Sequence, residues 1–282
     1  MIYLFACVGV LLGSFVNALV WRLHEQGAGY EDEPTGAKSA DQRKLQQELS
    51  ILKGRSMCPH CRHTLAGKDL VPVFSWLYLR GRCRYCHRPI SWQYPFVELL
   101  TAMLFGLTYI FAASYITTNL PVLVLVYILL VLGVALAVYD AKWFLLPNRL
   151  MYPFQIVAGL YAVSVAYVQQ DVRVLASASL AALAFYIFFR LIHDVSNGRW
   201  LGYGDVRLAI ALGLLVGSFT NVLLLVFVAS VLGTVVALPQ VAQKRSKQRV
   251  YIPFGPFLLA AALLVMLWGQ AVVDWYIASI SA

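Results

Sequence analysis

Eight stretches of this chain are candidates for helices that cross a lipid bilayer, and they leave room for few folds. About 20 apolar residues in a helix cover the hydrocarbon core. The candidates run over residues 2–22, 95–116, 120–139, 150–168, 174–192, 204–219, 221–240 and 255–278. In hydrocarbon each backbone N–H and C=O must be satisfied within the protein, which a helix does by itself. The expected fold is therefore an all-α integral membrane protein with about eight transmembrane helices. Composition agrees, since 61% of the 282 residues are hydrophobic and 12% charged, with a mean hydropathy of +0.73. An ordinary soluble domain is far more polar.

The first stretch has no basic start, and Trp21-Arg22 stands where the small residues of a cleavage site would be. It reads as a retained helix and not as a signal peptide. Eight crossings return the chain to its starting side and leave segments 23–94, 140–149, 193–203 and 241–254 opposite. On that topology 21 of the 22 Lys and Arg face the side of those segments, with Arg173 the exception. This is the positive-inside pattern, so the segments are expected in the cytoplasm and both termini outside. The net charge of +9 is accounted for by orientation and gives no reason to invoke nucleic acid.

The chain divides into a first transmembrane helix (1–23), a cytoplasmic insert (24–94) and a seven-helix membrane domain (95–282). Residues 24–57, with Gly27, Gly29, Pro34 and Gly36 ahead of a polar helical candidate at Ala40 to Leu52, read as a connector. Residues 58–94 carry Cys58-Pro59-His60-Cys61 and, after twenty-one residues, Cys83-Arg84-Tyr85-Cys86. Thiols stay reduced in the cytoplasm, and four thiolates on two tight turns suit tetrahedral zinc better than disulfides. A site closed by Cys58, Cys61, Cys83 and Cys86 is structural, and it would hold together a module too small to build its own core. His60, His63 and His87 read as surface residues, and Cys7 as a small packing residue in the first helix.

Only six Asp or Glu follow Asp69, and a carboxylate among apolar runs by default marks a functional site. Asp140 closes the third run, in Val138-Tyr139-Asp140-Ala141-Lys142, and Asp205 opens the sixth, in Gly202-Tyr203-Gly204-Asp205-Val206-Arg207. The topology puts both on the cytoplasmic leaflet. Two carboxylates a few ångströms apart share one proton, and such a pair can activate water and protonate an amide leaving group without a metal. Singly, Asp140 could be an interfacial partner of Lys142, and Asp205 of Arg207. Gly202 and Gly204 would let the backbone take positive φ or approach an extended peptide. The apolar stretch Leu208 to Ser218 is too short to span, so its start is drawn to the interface or the helix ends short under its neighbours. In Ile252-Pro253-Phe254-Gly255-Pro256-Phe257, two prolines and a glycine set the start of the last helix. Alone, that motif reads as a helix start with an aromatic belt.

Together these residues resemble the bacterial type IV prepilin leader peptidase family, bifunctional enzymes that cleave the prepilin leader and methylate the new N-terminus. The resemblance rests on Gly13-Ser14-Phe15 with Asn17 and Arg22, both cysteine pairs, Arg80-Gly81-Arg82-Cys83 and Tyr94-Pro95-Phe96-Val97-Glu98-Leu99. It continues through Asp140 with Pro147, Gly202-Tyr203-Gly204-Asp205, and Ile252 to Phe257. It implies that Asp140 and Asp205 are the pair of a GxGD-type aspartic protease in the bacterial cytoplasmic membrane. The implied cut follows a glycine in the leader of type IV prepilins or related pseudopilins, at the cytoplasmic face. It also implies a methylating N-terminal part that uses S-adenosylmethionine, while the sequence shows no methyl-donor loop. Gly202, Gly204, Arg207, Pro253 and Gly255 are expected to support the site. Arg207 stands where the family often has Lys, and Asn148 after Pro147 where it often has Asp. Competing readings are a peptidase without methyl transfer, disfavoured by the cysteine module, and a transporter or assembly scaffold. The last is disfavoured because both carboxylates lie toward one leaflet and no inverted repeat is apparent.

Overall fold

The computed structural model describes residues 2–28, 49–50, 54–115, 119–243 and 252–281. Most of the expected helix at Ala40 to Leu52, and the basic run Lys244, Arg245, Lys247 and Arg249, lie outside the described residues. The chain forms two compact units, Met1–Ile110 and Phe111–Ala282.

The first unit contains α1 (Ile2–Ala28), a short α2 (Phe74–Tyr78) and most of α3 (Gln93–Tyr115). Helices α1 and α3 meet backbone to backbone. A Cβ on Gly9 would sit 2.7 Å from Ala102 Cα, and one on Gly13 2.7 Å from Glu98 Cα. Small residues at such crossings are how membrane helices associate where lipid offers no hydrophobic drive. Asn17 Nδ2 donates to Tyr94 O at 3.1 Å, and Phe5 stacks on Tyr109 with centroids 4.7 Å apart.

The second unit holds α4 (Leu120–Trp143), α5 (Asn148–Gln169), α6 (Val172–Ser196), α7 (Tyr203–Val216), α8 (Phe219–Gln243) and α9 (Gly255–Ser281). Helix α7 packs against α5, α6, α8 and α9, while α4 packs against α5 and α9. The outer surfaces are apolar, as Leu180, Leu183, Ile187, Phe188, Leu223 and Phe227 illustrate, all exposed. That suits contact with lipid chains and makes the chain a multi-pass membrane protein.

Among the described residues, seven helices are long and apolar enough to cross a membrane, namely α1, α3, α4, α5, α6, α8 and α9. The eighth expected span is α7, whose 14 residues rise about 21 Å at 1.5 Å each. It ends short under its neighbours, the second of the two outcomes its sequence allowed. Gly217 turns left-handed at φ 76° and donates its N–H to Gly213 O. Carbonyls freed by that early stop are met by side chains, with Ser177 Oγ donating to Gly217 O and Asn221 Nδ2 to Val216 O, each at 2.9 Å. This is the satisfaction an interrupted helix needs at membrane depth.

Helix α7 reaches α6 through Gly213, where a Cβ would lie 2.4 Å from Ala182 Cα. Gly213→Ala should therefore destabilise the second unit by about 1–3 kcal/mol, the usual cost of overpacking. A lowered thermal midpoint of the purified protein in detergent is the readout, and an unchanged midpoint would contradict this contact.

Candidate functional site

The cysteine module is built from two turns with the same hydrogen-bond pattern. In the first, Cys58 N donates to His63 O, Arg62 N donates to Cys58 O, and Met57 bridges to Thr64. In the second, Cys83 N donates to Arg88 O, His87 N donates to Cys83 O, and Arg82 bridges to Pro89. Arg62 and His87 occupy matching left-handed positions, at φ 55° and 57°. A repeat absent from the amino-acid order outside the cysteines is thus present in the backbone.

The turns bring Cys58, Cys61, Cys83 and Cys86 together, with all four sulfurs within 4.8 Å of one another and Cys58 to Cys86 at 3.9 Å. All four thiols are free. Tetrahedral coordination at about 2.3 Å to each sulfur calls for sulfurs about 3.8 Å apart, so the donor set fits a metal ion. Burial pushes the Cys58 thiol up to about 12, a cost that a cation at the centre removes. Burial opposes ionisation of Cys83 as well, but the N–H groups of Cys86 and Tyr85 outweigh it and bring that thiol to about 7. His60, His63 and His87 are exposed and outside the cluster, as expected.

Asp69 ties the module together. Its carboxylate accepts from Arg84 Nε at 2.7 Å, from the Tyr85 hydroxyl at 3.1 Å and from Ala66 N at 3.3 Å. Burial works against the charge, but the Arg84 and Tyr85 hydrogen bonds hold the Asp69 carboxyl below the usual carboxylate range.

In the second unit, each of the two singled-out aspartates is held by a glycine at a helix start. Asp140 lies in the last turn of α4, which Phe144 ends in a left-handed cap, its N–H donating to Asp140 O at 2.8 Å. The Asp140 carboxylate is only 6% exposed and accepts from Gly255 N, the first residue of α9, at 3.1 Å. Asp205 occupies the first turn of α7 and accepts from the N–H of Gly202, the N-cap. That is one half of a capping box, with the favourable placement of an acid at a helix N-terminus. The two carboxylates are close enough for their charges to interact. The structure thus brings Asp140 and Asp205 to one end of a helix cluster formed by α4, α5, α7 and α9.

The interfacial ion pairs that would have made each aspartate ordinary give way to other contacts. Arg207 Nη1 donates to Asn148 Oδ1, its guanidinium lies 5.4 Å from the Tyr203 ring centroid, and Gln155 Nε2 donates to its backbone O at 2.8 Å. Lys142 Nζ lies 4.6 Å over the Trp143 ring. Asn148 and Arg207 therefore contact each other.

Gly204 and Gly255 act by space and not by unusual backbone angles. Gly202 has φ −69°, and the left-handed glycines among the described residues are Gly81, Gly198 and Gly217. A Cβ on Gly204 would come within 3.0 Å of Leu146, and one on Gly255 within 2.6 Å of Asp140 Oδ2. The motif from Ile252 to Phe257 is more than a helix start, because Gly255 both begins α9 and donates to Asp140. Pro253 lies in the irregular stretch before it, and Phe254 O accepts from Phe257 N and Leu258 N. Leu146 and Gln155 were missed from sequence because apolar and amide residues at helix boundaries carry no local signal.

The family model of the bacterial peptidase A24 N-terminal domain matches residues 7–112, and that of the type IV leader peptidase family matches residues 123–238. The chain is similar to the prepilin leader peptidase/N-methyltransferase of Aeromonas hydrophila, at 32% identity over 98% of this chain and 93% of that protein. The protein of the same name from Legionella pneumophila is 29% identical over 98% and 95%, and that from Pectobacterium carotovorum subsp. carotovorum 32% over 92% and 90%. No solved structure matches the chain.

Two outcomes follow for the module. Cys83→Ser should lose the bound metal and expose residues 58–94 to proteolysis, measured by metal analysis and limited digestion, and a variant with full metal content would contradict the cluster. Because the Asp69 carboxyl is held below its unfolded value, its contribution to stability is complete above the unfolded value and is lost as pH falls through the folded one. Asp69→Asn should abolish that acid-side loss, read as the difference from wild type in module melting across the pH series.

Proposed function

Because the chain belongs to the type IV leader peptidase family, we propose that it cleaves the leader of type IV prepilins or related pseudopilins and N-methylates the residue this exposes. The observation that carries the cleavage half is the pair of carboxylates whose charges interact, each held by a helix-start glycine N–H.

In this reading Asp140 and Asp205 carry one proton between them. The charged carboxylate takes a proton from water as the water oxygen attacks the scissile carbonyl carbon, and the protonated one delivers its proton to the departing amide nitrogen as the C–N bond breaks. Gly255 and Gly202 fix the two carboxylates, and Gly204 makes room for Leu146 beneath them. Arg207, pinned by Asn148 and Tyr203, keeps a positive charge two residues along the helix from Asp205 without pairing with it.

The working division is a first transmembrane helix (1–23), an insert bearing the methylation-associated module (24–94) and a seven-helix protease domain (95–282). Zinc, held by Cys58, Cys61, Cys83 and Cys86, has a structural role here, since four thiolates leave no open position. S-adenosylmethionine supplies the methyl group. Orientation follows the positive-inside distribution, with both termini outside and the aspartates toward the cytoplasm of a bacterial inner membrane.

Asp140→Asn and Asp205→Asn should each reduce leader cleavage by at least about 10³-fold with the protein still folded and inserted, assayed on a purified prepilin. Near wild-type processing by either variant would overturn the pair. Gly255→Ala should cut the rate by about 10²-fold through displacement of Asp140, the scale of a 1 Å misplacement.

A further inference from the structure

The first unit encloses a cavity of about 150 Å³ between the second half of α1, the start of α3 and the cysteine module. Asn17, Trp21, Cys58, Trp76, Tyr94 and Glu98 are among the residues that line it. Exposed Pro59, Leu70 and Val71 mark its rim.

Two buried acceptors on residues that line this cavity have capacity left, one an amide oxygen with no hydrogen-bond partner and the other a carboxylate with no cation beside it. Asn17 is 3% exposed, and with Nδ2 committed to Tyr94 O its Oδ1 has no hydrogen-bond partner. Glu98 is 6% exposed, and among the described residues no cation pairs with it. It accepts only from neutral groups, Val73 N at 2.7 Å and the Ser14 side chain. The Val73 contact is itself costly. Val73 sits at φ 61°, ψ −53°, in a γ-turn closed by Phe74 N donating to Pro72 O, a strained conformation for a β-branched residue. Backbone strain, an orphaned amide oxygen and an unpaired carboxylate thus converge on one space.

Each feature states what would fill it. A buried carboxylate without a cation calls for a positive charge, the Asn17 oxygen calls for a neutral N–H or O–H donor, and the aromatic residues Trp21 and Tyr94 in the lining suit a flat ring and a cation. A cavity of this volume takes a ring-sized group, so part of a larger ligand extends past the rim. We propose that this cavity is the S-adenosylmethionine site, with Glu98 facing the ligand's positive charge and Asn17 Oδ1 accepting from its neutral donors. The adenine ring, its exocyclic amine and hydroxyls, and the cationic sulfonium and ammonium are the groups the cavity asks for. Arg22 also lines the cavity, with its guanidinium held by donation to Ser50 O and Gly54 O. The proposal rests on the methylation half of the function above.

The test uses the full-length protein in detergent. Glu98→Gln keeps the shape and the acceptor for Val73 N–H while removing the charge. It should weaken S-adenosylmethionine by about tenfold or more and neutral adenosine by no more than about threefold, both by calorimetry. Equal losses for the two ligands, or no loss, overturn the site. On wild-type protein, an azido-adenine analogue of the donor should label peptides containing residues 14–22, 54–76 or 94–98, with protection by excess unlabelled donor. This arm decides the matter if the variant misfolds. Label confined to residues 111–282 overturns the cavity assignment while leaving methylation standing, whereas wild-type protein that neither binds the donor nor methylates a cleaved pilin overturns both.

Discussion

Gly255 donates its N–H to the Asp140 carboxylate, and much of the second unit is arranged so that this bond can form. A buried carboxylate needs donors, and within an apolar bundle backbone N–H groups at helix starts are the ones not already used. Helix α9 must begin at Gly255 to expose one, and Pro253 and Pro256 on either side fix that start. Only glycine fits, because any Cβ would collide with the oxygen it serves. Helix α4 must stop shortly after Asp140, and the left-handed Phe144 stops it.

The same economy explains α7. Its first turn presents Asp205 and its last turn must not run on, so the helix spends 14 residues where its neighbours spend more than 20. An interrupted helix inside a membrane exposes carbonyls, and Ser177 and Asn221 cover them. Packing on four neighbours replaces the lipid contact that a full span would have made. Helix α7 is therefore positioned by the bundle, and with it Asp205.

In the first unit the organising element is the pair of matched cysteine turns. Each is too small to hold a core, so their geometry comes from backbone hydrogen bonds and from the shared sulfur cluster. Asp69, gripped by Arg84 and Tyr85, ties the segment between the turns to the second turn, and Tyr85 stacks on His63 of the first. Glu98 and Asn17 do the reverse, leaving polar capacity unspent inside the unit, which is why that cavity stands out as a place for a ligand.

The amino-acid order by itself determined what hydropathy and spacing can carry. The apolar runs fixed the helices to within a few residues, the two CxxC pairs picked out the four thiols that the fold gathers, and scarcity of acids singled out Asp140 and Asp205. These are local signals, since helices and tight turns close their hydrogen bonds within a few residues. What only the tertiary structure decided was which groups meet across distance. It gave Asp140 the N–H of a residue 115 positions away, turned Arg207 from Asp205 toward Asn148, and showed that Gly204 and Gly255 serve close packing, not positive φ. It also ended α7 short and placed Glu98 against a strained Val73. None of these has a sequence period, because each depends on which helix faces which, and that is settled by packing and by the need to satisfy polar groups where water is absent.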